Sequence, residues 1–209
     1  GAVRQKTMII IGPSNPALPL VPVRAAKRSF LNPRQTPGLP ISGATASSIM
    51  NPSYQLLTSE AGYRRACDTV LGRAERELLI FDRDLRSLQL DDHTRLQSLS
   101  DFLASDRLRR IRIVLHDPGP LHRQAPRLMQ LIARFSHMID VRQSPDNLRH
   151  LADSHLLADD AHGVRRFHID QPRSALVVDD PAYIHPWWQR FAELWDLSHP
   201  CLQINTTGL

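Results

Sequence analysis

Arg110-Ile111-Arg112-Ile113-Val114-Leu115-His116-Asp117, followed at once by Pro118-Gly119-Pro120, is the stretch that decides the fold. A largely apolar, β-branched run ends in two polar groups, and the chain then turns. The pattern predicts a buried strand whose C-terminal end carries His116 and Asp117. Open α/β sheets place their ligands at such strand ends.

Working outward, the same plan repeats on both sides. Thr58 or Ser59 can cap a helix that runs to about Ala74, with Ala61, Ala66, Val70 and Leu71 at near-helical spacing. Glu77 to Asp84 reads as a strand, and Asp91-Asp92-His93-Thr94 offers caps for a helix to Ala104. Beyond the central stretch, Pro120 sits near the start of a helix to Ser136, and Ile139 to Arg142 is a short strand. Asp146 can cap one helical turn, and Ser154–Ala158 with Val164–His168 forms a hairpin about Asp159–Gly163. Ser174 to Asp180 is another buried strand, and Pro181 to about Leu197 the last helix, stopped by Pro200. Trp187, Trp188, Phe191 and Trp195 form an aromatic stripe on that helix. Two adjacent tryptophans cannot share a face, so one of them is partly exposed or packs on a partner. Helix and strand largely alternate. The expectation is an α/β domain with a mostly parallel sheet and helices on both faces.

Charge divides the chain in two. Residues 1–49 hold six of the 26 basic residues and no Asp or Glu, whereas residues 50–209 hold the other 20 against all 21 acids. The folded part therefore carries −1 and the first 49 residues +6, which sum to the net +5. A high isoelectric point that resides in one segment does not make the whole chain a nucleic-acid binder, and nucleic acid is not expected as a partner. Residues 1–49 also contain seven prolines and read as a disordered Pro-rich extension. Three roles compete for it: a linker from a preceding domain, a basic arm, or sequence upstream of a start at Met50. The domain proper is expected over residues 50–209. Lys6 and Lys27 are the only lysines, so no mechanism that needs a lysine can run in the folded part. Cys67 and Cys201 have no metal-type spacing, which fits a reducing cytosol, and no apolar run approaches a membrane span.

Three strand ends collect the groups able to do chemistry: Asp82 and Asp84, His116 and Asp117, and Asp179 and Asp180. As C-terminal ends of parallel neighbours they would share one rim, and Asp and His could meet there as an acid–base pair. The competing reading is structural, because Asp closes strands and caps helices; Asp92 and Asp180 fit that role. The candidate catalytic residues are thus Asp82, Asp84, His116 and Asp117. Arg134 and Arg142 could grip a phosphate or carboxylate if they face the rim, although a cation at the end of a helix also complements its dipole. The ten histidines form no metal-binding spacing on a helix, and Gly-rich phosphate loops, nucleophile elbows and Cys-x-x-Cys pairs are missing. No metal and no cofactor is expected.

The element order and the segment Leu151-Ala152-Asp153-Ser154-His155-Leu156-Leu157-Ala158-Asp159 resemble one half of a phospholipase D-like fold. Active members of that family carry His-x-Lys, four further residues and an Asp. Aligning Asp159 with that Asp puts Ala152 at the His position and Ser154 at the Lys position. The resemblance implies a fold whose nucleophile and cationic partner are both lost. More narrowly, residues 54–200 resemble a bacterial phospholipase D-like domain that often follows a GNAT-type N-acetyltransferase domain. Phe81-Asp82-Arg83-Asp84-Leu85, Leu115-His116-Asp117-Pro118, Arg134-Phe135-Ser136-His137, Arg142-Gln143 and Leu194-Trp195 carry that likeness. It implies a non-catalytic accessory domain that binds a phosphorylated small ligand or a protein partner, an acetyltransferase domain among them. The alternative is an enzyme of another kind acting through the Asp and His residues of the strand rim.

Overall fold

Ser59 opens the first helix as its position predicts: its hydroxyl accepts from the Gly62 amide at 3.1 Å. The computed structural model describes residues 52–202. The expectations for residues 1–49, and Met50 itself, lie outside the described residues. In chain order the elements are β1 (Ser53–Leu57), α1 (Glu60–Leu71), β2 (Glu77–Asp82), α2 (His93–Ser105), β3 (Arg110–Leu115), α3 (Leu121–Gln124) and α4 (Pro126–Arg134). After them come β4 (Ile139–Gln143), a 3-10 turn (Asp146–Leu148), β5 (Ser154–Ala158), β6 (His162–Arg166), β7 (Ser174–Val178), α5 (Pro181–Leu197) and β8 (His199–Pro200).

The α/β class stands, but the mostly parallel sheet does not. The eight strands run β1-β7-β6-β5-β2-β3-β4-β8. Parallel pairing is confined to β2 with β3 and β3 with β4. The other five pairings are antiparallel. The physical reason is connection length. Helices α2 and α3–α4 carry the chain back between β2, β3 and β4, whereas β5, β6 and β7 follow one another through short turns that allow only antiparallel return.

Side-chain alternation closes both faces of this sheet. Leu78 and Ile80 of β2 pack with Ile111, Ile113 and Leu156 and with the buried faces of α1, α2 and α4, among them Val70, Leu99 and Ile132. Leu79 and Phe81 point the other way and pack with Val114, Leu157 and the α5 residues Ile184, Trp187, Phe191 and Leu194. The result is three layers, with four helices over one face and α5 over the other. Of the adjacent tryptophans, Trp187 is buried and Trp188 only partly so. The helix expected over 120–136 is broken at Ala125 (φ −135°), because Pro126 brings no amide and begins a new helix there.

Candidate functional site

Two of the three expected strand ends meet. Parallel pairing sets Asp82 beside Leu115, so Asp82, His116 and Asp117 share the C-terminal rim of β2 and β3. The His116 amide donates to the Asp82 carbonyl at 3.2 Å, and the Asp117 amide to the Arg83 carbonyl at 2.8 Å. Asp179 and Asp180 lie elsewhere. Strand β7 runs opposite to β2, and Asp179 groups with Arg73, His162 and Asp159 near the N-terminal end of β2.

Each rim residue has a structural task that follows from its neighbours. Asp82 is wholly buried, and its carboxylate accepts from the amides of Asp84 (3.1 Å) and Leu85 (2.9 Å) and from the Ser87 hydroxyl (3.2 Å). Burial raises its pKa, while those two amides pull it back down. It ties down the turn after β2, in which Leu85 (φ 65°) and Gln89 (φ 47°) occupy left-handed backbone. Asp84 accepts from the Arg86 amide at 3.1 Å and pairs with its guanidinium at 3.0 Å. Asp117 is exposed and accepts from the Gly119 amide at 3.1 Å.

His116 is the best-held member of the rim. Its Nδ1 lies 2.6 Å from the Ser144 hydroxyl and its Nε2 2.9 Å from the Leu151 carbonyl. A carbonyl only accepts, so Nε2 carries the proton and Nδ1 takes the Ser144 hydroxyl as donor. Burial lowers the pKa of the ring, which accords with this neutral tautomer. The ring edge meets Phe81 at 5.1 Å between centroids. Both nitrogens are thereby engaged, and the imidazole pins the segment between β4 and β5.

That segment and the rim enclose a pocket of about 260 Å³ lined by Arg83, His116, Asp117, Arg149, Leu151, Ala152, Asp153 and Ile169. Arg83 and Arg149 are more than 40% exposed; Arg83 pairs with Asp170 at 3.5 Å and Arg149 with Asp146 at 2.9 Å. Such surface pairs yield readily to a better anion. Ala152 fixes one wall: its carbonyl accepts from the Ile169 amide at 2.7 Å. Asp153 is neutralised from behind by Arg165 (3.0 Å) and Arg190 (2.7 Å), which join β5, β6 and α5 under the pocket.

Ser154 and Asp159 are both engaged in the fabric of the sheet and its turns. Ser154 is fully buried on the α1 face of the sheet, and neither its hydroxyl nor that of Tyr63 has a hydrogen-bond partner. Burial raises the Tyr63 pKa well above its ordinary value and pushes the Cys67 thiol up to about 12, so neither ionises readily. Asp159 lies at the far end of β5, where it accepts from the amides of Glu75, Arg76 and Glu77, each at 2.9 Å. Among the described residues, no group of three or more His, Cys, Asp or Glu side chains is placed to hold a metal ion. No helix there is long and apolar enough to cross a membrane.

The two candidate anion grips, Arg134 and Arg142, are not at this pocket. Arg142 lies over the Trp195 ring at 4.1 Å and donates to the Trp195 carbonyl at 3.0 Å, closing the C-terminal end of α5. Arg134 is exposed at the end of α4 and lines a groove between α2 and α4. The pocket's own arginines, Arg83 and Arg149, and its carboxylate Asp153 were not singled out from sequence. Arg83 stands inside a quoted motif, but nothing local to either arginine shows that the two converge.

The architecture has relatives among solved structures. TrmBL2, an archaeal chromatin protein with a novel mode of DNA binding, is similar at 14% identity and a TM-score of 0.53, over 71% of this chain and 54% of that one. The chain therefore spans about half the length of TrmBL2. Nuc from Salmonella typhimurium, a phospholipase D family member, is similar at 15% identity and a TM-score of 0.52, over 73% of this chain and all of that one. Likeness at such identity establishes the fold, which is phospholipase D-like. No curated protein matches the sequence. Residues 59–206, which take in the rim and the pocket, match the family described as Domain of unknown function (DUF7931), and the chain belongs to that family.

Proposed function

We propose that the chain is a non-catalytic phospholipase D-like domain that binds a small phosphorylated ligand in the rim pocket. One observation carries the reading. The pocket presents two displaceable guanidinium groups, Arg83 and Arg149, beside Ala152, the residue aligned with the family's nucleophilic His. Arginine forks suit phosphate oxygens, so the pocket has the means to bind an anion. Its imidazole and nearest hydroxyl are not free to attack, because both His116 nitrogens are already paired and Ser154 is sealed beneath the sheet. A volume of about 260 Å³ fits a phosphate with a short tail more readily than a drug-sized molecule. The sequence resemblance supports an N-acetyltransferase domain as the accompanying partner.

The test is thermal melting of the full chain with inorganic phosphate, phosphosugars, nucleoside monophosphates and acetyl-CoA. A ligand at about 100 times its Kd stabilises the native state by about 2.7 kcal/mol. For a domain of this size that raises the Tm by roughly 5–10 °C. The shift is expected with a phosphorylated compound and should vanish in the Arg83→Gln/Arg149→Gln variant. A flat panel, or phosphodiesterase turnover that depends on His116, would overturn the reading.

A further inference from the structure

Away from the rim pocket, the stretch that forms α3 and α4 concentrates positive charge. From Pro118 to Met138 the chain contains Arg123, Arg127, Arg134, His122 and His137 and not one Asp or Glu. The remainder of residues 50–209 holds 17 basic residues against 21 acids. Among the described residues, every ion pair falls outside that stretch, including those of Arg73, Arg76, Arg83, Arg95, Arg165 and Arg190. Arg123, Arg127 and Arg134 are all exposed, and Arg134 has only the Phe135 ring beneath it, at 5.2 Å. Three exposed arginines with no acid beside them in sequence thus concentrate positive charge along α3 and α4.

The groove between α2 and α4, about 300 Å³, gathers Arg127 and Arg134 with His93, Gln97, Ser100 and Gln130. Its floor is Leu96 and Leu131, and no carboxylate lines it. The nearest acid tied to a lining residue is Asp101, which holds the Gln97 amide at 2.8 Å. The wall is thus rich in donors, which suits an anion. The spacing suits a repeating anion. Arg127 and Arg134 are two turns apart on one helix, so their backbones are separated by about 10 Å. At that separation each guanidinium can take a phosphate of its own from a strand whose charges recur about every 3.4 Å of duplex axis. The groove offers no Phe, Tyr or Trp for stacking bases, and none of the exposed large apolar residues lines it for insertion into lipid.

We propose that the α2–α4 groove binds the phosphate backbone of a nucleic acid, without reading its sequence, through Arg127 and Arg134. This surface is separate from the rim pocket and does not depend on it. Binding of the full chain to a labelled 20-base-pair DNA duplex of arbitrary sequence, measured between 50 and 200 mM salt, tests the assignment. Each phosphate contact adds about 0.9 to the slope of log affinity against log salt. Removing two contacts in Arg127→Gln/Arg134→Gln should make the slope shallower by about 1.8. Over that salt range the wild type would then lose about twelvefold more affinity than the variant. Both side chains are exposed, so the variant should keep the wild-type Tm. An unchanged slope would place the contacts elsewhere, residues 1–49 included, and overturn the proposal. So would failure to bind the duplex, or capture only by vesicles rich in anionic phospholipid.

Discussion

His155 sits on the α5 face of β5 between the rings of Phe81 and Phe191, at centroid distances of 5.4 and 6.0 Å. It is 1% exposed, and neither ring nitrogen has a hydrogen-bond partner. Burial holds its pKa down to about 3; Asp153 works in the opposite direction, while Arg165 and Arg190 add to the lowering. An unfolded chain takes up this proton near pH 6.5, whereas the folded one resists it until about pH 3. Between those values the unfolded state binds more protons, so stability is full above pH 6.5 and is lost as pH falls toward 3. The slope approaches but does not exceed about 1.4 kcal/mol per pH unit. His155→Phe keeps a ring in an apolar site and removes the titration. Urea unfolding at pH 7, 5 and 4 should therefore show a wild type that weakens with acid more steeply than the variant. Parallel profiles would mean that the folded protein protonates this ring without penalty.

Arg142 joins two elements, and its loss belongs to that scale. From β4 it stacks on Trp195 of α5 and donates to the Trp195 carbonyl, a helix-end acceptor that also takes the Ser198 amide at 3.2 Å. Arg142→Ala should cost about 1–3 kcal/mol in urea unfolding, from the charged hydrogen bond and the ring contact together. Lysine should recover little, since it lacks the planar fork and the stacking face. If Arg142 serves as cap and not as ligand grip, a phosphate-induced Tm shift survives the change. Much of this element-level order was legible. Ser59, Asp92 and Asp180 stand as helix caps where their hydroxyl or carboxylate oxygens predict, and the hairpin turns at Asp159, an Asp that tolerates φ 53°. Of the antiparallel majority, only the β5–β6 hairpin was legible. Helix–strand alternation suggested crossovers, while the ten residues between Gln143 and Ser154 and the short turns after Ala158 are too few for them. Strand β1 escaped notice because four of its five residues are exposed and show no apolar alternation. The meeting of Asp82 with His116 could be read from two parallel strand ends. The convergence of Arg83, Arg149 and Asp153 could not, since separate loops bring them together and no local pattern records it.

At the scale of the whole molecule, three layers must fit at once, and at Gly163 α5 packs close against the sheet. A Cβ built there would lie 2.7 Å from Leu157 Cδ2, 2.9 Å from Ile184 Cδ1 and 3.3 Å from Trp187 Cε3. These are side-chain ends, which could swing aside on a surface. Here Leu157 and Ile184 have no exposure and Trp187 only 8%, so relief requires α5 itself to lift. Gly163→Ala should destabilise the domain by about 1–3 kcal/mol through overpacking, opposed in part by the lower entropy of the unfolded chain. Each kcal/mol lowers the Tm of a domain this size by roughly 2–4 °C. The effect should also reach the rim. Arg190 of α5 holds Asp153 at 2.7 Å, and Asp153 lines the pocket, so a raised helix loosens that wall without touching a ligand contact. Melting curves of Gly163→Ala with and without phosphate check both effects together. A lower Tm with a smaller phosphate shift is the expected result, whereas a lower Tm with an intact shift would show that Asp153 keeps its place independently of α5.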